Sequence, residues 1–386
     1  MNKIVISAIK IGIAYLLSLF NVKYRDYWLI EERGFDARDN GYWFYKYLVE
    51  NHPEVKVMYS ITPDSEDLEK IKMLGGEYVY RNSIRHGIIY FVCEALLSPH
   101  DQFCRPLWKG LGWLQKITIF KFLRPRGKKI FLQHGITKDY IEFYTKSFTN
   151  ADMFICGALP EYEFIKKRYG YAESEVKYTG FARFDNLEKN KFNNKKMILI
   201  IPTWRSYIDK NLSEHEFKQT DYYKKYNSLL NNANLIEYIE ENDIKVVFYP
   251  HILMQQWINC FTSSSEKICI MSAHNIEVQD LLIKCSMLVT DYSSVFFDVA
   301  YMNKPTIFYQ FDYSTYRSGY LQEGYYDYHN DLGPVCDTEE ELVNQIINSY
   351  GKLPEEKYLH KIKEYFVYQD QNNCNRIYKE VIGVRD

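Results

Sequence analysis

Short apolar runs alternate with helix-length segments twice along this chain, and that alternation predicts parallel-sheet α/β architecture. In the first series the strand-like runs are Asp26–Ile30, Val55–Ser60, Glu77–Tyr80, Lys129–Gln133, Met153–Cys156 and Val176–Tyr178. Helical patterns fall at Tyr42–Asn51, Ser65–Leu74 (stopped by Gly75 and Gly76) and Arg85–Leu97. The second series has strands at Met197–Ile201, Lys245–Tyr249, Met287–Thr290 and Thr306–Tyr309. Its helices are predicted over Tyr223–Glu240, over Glu277–Lys284, from Ser293 onward and over Glu339–Tyr350. Glu355–Phe366 reads as a terminal helix, and Glu188–Lys196, rich in Lys and Asn, as the linker. With 386 residues the chain can bury two cores. The expected fold is therefore two Rossmann-like domains facing a cleft, with ligands bound beyond the carboxyl ends of the strands.

Four strand ends carry chemistry. Lys129–Gln133 runs into His134 and Gly135, Met197–Ile201 into Thr203 and Arg205, Lys245–Tyr249 into Pro250 and His251, and Met287–Thr290 into Asp291, Ser293 and Ser294. A strand end meeting a helix start gathers unpaired N–H groups and favours phosphate. Imidazole suits general-base work near neutrality. Arginine offers a planar fork to phosphate oxygens. Gly135 lets a substrate approach the backbone. Each residue also has a plainer reading. A strand-end histidine often only packs, Arg205 can be half of an ion pair, Asp291 or Ser293 can simply cap a helix, and Asp298 can bond a neighbouring loop. Their convergence on strand ends favours the functional reading.

Charge is balanced at 48 basic and 50 acidic residues, which points to no particular partner, but its distribution is uneven. Gln102–Lys138 holds no acid and nine basic residues, interleaved with Trp108, Trp113, Phe120 and Phe122. Ile4–Phe20 is apolar, yet the run after Lys10 is short of the roughly 20 residues a bilayer needs. A helix lying in the membrane interface is the expectation, with an ordinary buried helix as the alternative. The basic-aromatic segment would also suit nucleic acid, but that partner explains neither the strand-end histidines nor the apolar first helix. The eight cysteines form no C-x-x-C pair and no metal-ligand spacing, so they read as reduced thiols, and no metal site is expected.

The motifs, taken in order, resemble a known family. They are His134-Gly135 with Thr137, Lys138 and Asp139; Gly180-Phe-Ala-Arg-Phe-Asp-Asn-Leu187; Pro202-Thr-Trp-Arg205; Tyr249-Pro-His251; and Thr290-Asp-Tyr-Ser-Ser294 with Phe296–Ala300. With Trp28–Tyr42, whose Arg38-Asp39-Asn40 is similar to that family's leading segment, they resemble the CDP-glycerol glycerophosphotransferases of teichoic-acid and capsule synthesis. The resemblance spans nearly the whole chain. It departs after His251, where Ile252 replaces the expected proline.

The resemblance implies a GT-B fold at the cytoplasmic face of the membrane. Residues 1–24 would form an interfacial helix, 25–187 the acceptor domain, 188–354 the CDP-donor domain and 355–386 the C-terminal helices. His134 would be the general base and His251 would meet the donor pyrophosphate. Thr203, Arg205, Thr290, Asp291, Ser293, Ser294 and Asp298 would line the donor site, and Arg38, Asp39, Asn40 and Gly135 the acceptor site. A polyol phosphate, glycerol phosphate first, would pass from its CDP carrier to a hydroxyl of a lipid-linked glycan, releasing CMP. No cofactor is required in this scheme, although it leaves room for magnesium. Two alternatives stay open: a GT-B glycosyltransferase using a nucleotide sugar, and a non-catalytic membrane-bound assembly partner.

Overall fold

The central strand runs are apolar on both faces, and they are buried on both faces, as strands covered by helices on either side must be. The computed structural model describes residues 3–192, 195–272, 276–318 and 324–383. Its first sheet holds seven strands: β1 (Trp28–Ile30), β2 (Val57–Ile61), β3 (Glu77–Tyr80), β4 (Ala95–Ser98), β5 (Lys128–Phe131), β6 (Met153–Cys156) and β7 (Val176–Tyr178), in the order β3-β2-β1-β4-β5-β6-β7. The second holds six: β8 (Met197–Ile201), β9 (Lys245–Phe248), β10 (Ile268–Ile270), β11 (Met287–Thr290), β12 (Thr306–Tyr309) and β13 (Val335–Cys336), in the order β10-β9-β8-β11-β12-β13. All pairings among the described strands are parallel.

Both sheets reverse strand order at one point, β1/β4 in the first and β8/β11 in the second. The crevice outside the carboxyl ends at such a switch point is where open α/β sheets bind ligands. Three strands escape the sequence pattern. β4 follows the Ile84–Val92 helix after only Cys93 and Glu94, so helix and strand read as one apolar stretch. β10 and β13 have three and two residues, too few to show a period. The helix expected over Tyr223–Glu240 is two helices, Asp221–Leu229 and Ala233–Glu241, the second capped by the Asn232 side chain. The linker expected over Glu188–Lys196 lies partly in the Phe184–Asn190 helix and partly, at 193–194, outside the described residues.

The chain divides into two compact units that do not follow chain order. One comprises Met1–Ile136, Glu142–Asn186 and Asp370–Asp386, the other Thr137–Ile141 and Leu187–Gln369. The C-terminal helices therefore part company: Glu356–Tyr365 stays with the second unit and Asn373–Gly383 returns to the first. The Asp185 carboxylate fastens that return, accepting the N–H of Asn373 at 2.8 Å and of Cys374 at 3.0 Å. Beside it Gly180 has φ +77°, and a Cβ there would sit 1.9 Å from Asn373 Oδ1, so only glycine fits. The motif from Gly180 to Leu187 is thus in part the joint that holds the last helix.

The Lys3–Phe20 helix begins well before Lys10. Its 18 residues, mean hydropathy 1.9, make it long and apolar enough to cross a membrane by length and composition, which corrects the shorter apolar run read from the sequence. It packs on the Ile84–Val92 helix. Its inner face is Ser7, Ile11, Ala14 and Ser18. Gly87 keeps the two helices close, because a Cβ there would meet Ala14 Cβ at 2.9 Å and clash with the Trp108 ring. The cysteines are free thiols, seven of the eight buried.

Candidate active site

In the first unit, residues following β1, β4 and β5 meet at the switch point. Glu32, just past β1, folds the next loop around its carboxylate, accepting the N–H groups of Arg38 (2.8 Å), Asp39 (3.0 Å) and Tyr42 (2.7 Å). That loop delivers Asp39 as the cap of the Asn40–Asn51 helix. One Asp39 oxygen accepts the Asn40 N–H at 2.8 Å, and the other meets His134 Nδ1. His134 follows Gln133, a buried non-glycine residue at φ +57° whose amide is tied to the Ile155 carbonyl and to Glu161. That strained backbone turns the next side chain outward.

His134 is 54 % exposed although its Nδ1 is engaged. Since a carboxylate only accepts, Nδ1 carries the proton and Nε2 presents its lone pair to solvent. Arg183 Nη1 reaches both Asp39 Oδ1 (3.3 Å) and the His134 carbonyl (2.8 Å). Burial alone would raise the Asp39 carboxyl, but His134, Arg183 and His100 outweigh it and hold it at about 2. His100, two residues past β4, places its ring 5.6 Å from that of His134. Burial, reinforced by His134, lowers its pKa to about 4, so this second ring is neutral near pH 7.

The sequence reading grouped Arg38, Asp39, Asn40 and Gly135 as acceptor contacts, and the structure gives three of them other tasks. Asn40 is fully buried, its amide donating to the carbonyls of Leu132 and Gln133 and accepting from the Arg183 N–H. Arg38 is paired with Asp67 at 2.7 Å and Glu66 at 3.3 Å. Asp39 orients His134. Gly135 sits half-buried beside it. Among the described residues, Asp39, His100 and His134 bring one ligand atom each within 4.8 Å of one another, a grouping the sequence does not announce. Far apart in sequence, they show no spacing that could reveal them. His100 escapes the sequence for the same reason, and Arg183, though part of the motif from Gly180 to Leu187, has no role legible there.

In the second unit the switch point is closed by a buried charge cluster. Arg205 has no exposed surface. Its Nε and Nη2 donate to Asp312 at 2.6 and 3.1 Å, and its Nη1 to Asp291 (2.8 Å) and the Thr203 carbonyl (2.7 Å). Tyr292 and Tyr222 ring faces cover the guanidinium. Burial works against its charge, but Asp291, Tyr226 and Asp312 raise its pKa far above the ordinary value. Asp291 spans from β11 to β8, its carboxylate accepting the Thr203 N–H at 2.9 and 3.1 Å. The buried Thr290 hydroxyl donates to the Ile201 carbonyl at 2.7 Å. Arg205, Asp291 and Thr290, read from sequence as donor contacts, are therefore spent on shaping the loops.

What remains outward is a smaller set. The helix after β11 starts at Phe296, later than expected, because Ser293, Ser294 and Val295 form a tight turn before it. Ser293 and Ser294 are half-buried, and among the described residues no bond is made by their hydroxyls or by the backbone N–H groups of 293–295. Asp298 is buried in the helix's first turn. Thr203 keeps a buried hydroxyl with no partner. His251, half-buried, caps the Ile252–Cys260 3₁₀ run, its Nδ1 accepting the Leu253 N–H at 3.2 Å. That fixes the ring proton on Nε2. The two histidines, three residues past β5 and three past β9, thus hold their ring protons on opposite nitrogens.

Residues 13–383 match the family model described as CDP-Glycerol:Poly(glycerophosphate) glycerophosphotransferase. The minor teichoic acid biosynthesis protein GgaB of Bacillus subtilis (strain 168) is 32% identical over 383 residues, covering 95% of this chain and 41% of that protein. The chain thus spans well under half of that relative's length. Among solved structures, the wall teichoic acid polymerase TagF superposes with a TM-score of 0.69 at 20% identity, covering 98% of this chain and 93% of that one. A TagF variant was also solved after a soak with CDPG. A UDP-N-acetylglucosamine 2-epimerase structure from Listeria monocytogenes gives a TM-score of 0.54 at 12% identity, covering 94% of this chain and 97% of that one. At such identities the likeness establishes the fold: two parallel-sheet α/β domains of GT-B type.

Proposed function

The chain belongs to the CDP-glycerol:poly(glycerophosphate) glycerophosphotransferase family, and from that premise we propose that it transfers a polyol phosphate, glycerol phosphate first, from a CDP carrier to a hydroxyl of a lipid-linked glycan. The observation that carries this reading is the His134–Asp39 pair, which leaves an imidazole lone pair facing solvent at the first sheet's switch point. In the reaction His134 Nε2 takes the acceptor hydroxyl proton. The oxygen attacks the β-phosphorus, the bond to CMP breaks, and a phosphodiester forms. Asp39 stays ionised, holding the ring in the correct tautomer and stabilising the imidazolium.

The donor diphosphate carries charge that the second unit can neutralise. His251 Nε2–H, the Ser293 and Ser294 hydroxyls and the N–H groups of 293–295 are the donors offered to it, with the Thr203 hydroxyl beside β8. Fixed donors in a dry site stabilise developing charge strongly. The scheme needs no resident metal.

The acceptor implies a membrane surface, and two facts support docking there. The Lys3–Phe20 helix exposes Ile4, Leu16, Leu17 and Phe20, the last at 83 %. It also meets the basic segment: Tyr15 lies 5.0 Å from Phe122, and the Ser7 hydroxyl accepts the Lys109 N–H at 3.1 Å. That segment also exposes Leu107 and Trp113, interleaved in sequence with Lys109, Lys116, Lys121 and Arg124. Each such cation contributes about 1 kcal/mol near an anionic bilayer. Flotation with anionic liposomes tests docking; failure to float, with tight RNA binding, refutes it.

The transfer is tested with a donor panel of CDP-glycerol, CDP-ribitol and nucleotide sugars in the presence of membranes. CMP release from a CDP-polyol alone is the expected result. Consumption of a nucleotide sugar instead identifies a glycosyltransferase, and cellular function unaffected by His134→Ala identifies a scaffold.

A further inference from the structure

We propose that Asp39, His100 and His134 form a binding site for a borderline-soft transition-metal dication, Zn²⁺ foremost, and that the seated ion switches His134 off as a base. The inhibitory half rests on the transferase reading above; the binding half does not.

The ligand set comes first. Two imidazoles and one carboxylate are the ligands of zinc and its neighbours, whereas magnesium prefers oxygen alone. Three protein ligands leave a position for water or another oxygen. The three ligand atoms lie within 4.8 Å of one another. Tetrahedral zinc with bonds of about 2.0 Å needs ligand atoms roughly 3.3 Å apart, so closing the site takes about 1.5 Å of side-chain movement at most. His134, more than half exposed, can supply it and leaves the ion a way in.

The supporting shell is already built. The three residues follow β1, β4 and β5, adjacent or next-adjacent strands of one sheet, so their backbones are fixed. Asp39 is held by the Asn40 N–H, a contact that orients a ligating carboxylate. The His100 backbone N–H is tied to the Ser98 hydroxyl at 3.1 Å, which fixes where its side chain starts. Arg183, 3.3 Å from Asp39, opposes a cation there. The balance describes a reversible site filled when the metal is abundant, rather than a permanently loaded centre.

The consequence for chemistry follows from the tautomer. Without metal, the His134 proton sits on Nδ1 and the Nε2 lone pair is free. An ion bridging Asp39 and Nδ1 displaces that proton, and solvent returns one to Nε2. No net proton is released, but the lone pair that would accept the acceptor's proton is gone.

The test uses the full chain without affinity histidines, and Co²⁺ as probe because its spectrum reports its ligands. The expected result is one Co²⁺ per chain showing d–d bands without a thiolate charge-transfer band, displaced by Zn²⁺. His100→Ala and the bulkier His100→Gln, each checked for folding by circular dichroism, lower affinity at least about tenfold. Zn²⁺ suppresses CMP release with the same half-saturation as binding, and a chelator restores it. No Co²⁺ uptake, a thiolate band placing the ion on cysteine, or equal binding by both His100 variants overturns the site. Full occupancy with undiminished CMP release overturns the inhibition. Because binding is read without turnover, a metal-free enzyme that releases no CMP counts against the transferase reading alone.

Discussion

The Asp39 carboxylate engages Nδ1 of His134, and that one contact decides which ring nitrogen faces solvent. The pair joins a residue beyond β1 to one beyond β5, so the sheet itself sets the geometry. Three further bonds hold it: Glu32 to the Asp39 N–H, Asp39 to the Asn40 N–H, and Arg183 to the His134 carbonyl.

Asp39→Asn keeps the shape and the helix cap but offers Nδ1 an amide. The ring is then free to adopt the wrong tautomer. CMP release is expected to fall by about 10²–10⁴, with donor KM little changed and the circular dichroism spectrum intact. Steady-state kinetics of the purified variant check this; a change confined to KM would assign Asp39 to binding.

The same carboxylate sets an acid limb of stability. Its folded pKa, about 2, lies below the ordinary 3.8. Above pH about 4 the carboxylate is ionised in both states and its stabilisation, about 2 kcal/mol, is fully present. As pH falls toward 2 the unfolded chain takes up the proton first, and the contribution is lost. Urea unfolding between pH 5 and 2 is expected to show a shallower decline in Asp39→Asn than in the parent protein.

Arg205→Met leaves two buried carboxylates, Asp291 and Asp312, without their counter-charge. The expected cost is about 3–5 kcal/mol, read as a lower urea midpoint. A direct donor contact predicts the opposite pattern, normal stability with a raised donor KM.

The architecture is legible because its central strands are buried on both faces and so read as continuous apolar runs. β4 was hidden because it follows its helix without a turn, and β10 and β13 because they are so short. In the site, the strand-end rule singled out His134, His251, Ser293 and Ser294, which still face outward. It also singled out Arg205 and Asp291, because a charged strand-end residue looks the same in sequence whether it meets a ligand or another charge. His100 carries no local signal, and only the pairing of β4 with β5 brings it to His134. Arg183 stands in the motif from Gly180 to Leu187, but its partners, Asp39 and the His134 carbonyl, lie far from it in sequence.

The return of the last helix to the first unit was equally invisible, since it rests on Asp185 and Asn373, nearly half the chain apart. Asp185→Ala removes the acceptor of three hydrogen bonds, from the Asn373 N–H, its side-chain amide and the Cys374 N–H. The expected loss is about 3 kcal/mol. Hydrogen exchange should show the Asn373–Gly383 helix opening first, before either sheet.

The most direct measurement of the central claim is CMP release from CDP-glycerol by the membrane-supplied enzyme and by His134→Ala at matched folding. The account predicts a drop of about 10²–10⁴ with the circular dichroism spectrum of the folded parent retained. A His134→Ala protein that releases CMP at the parent rate would contradict it.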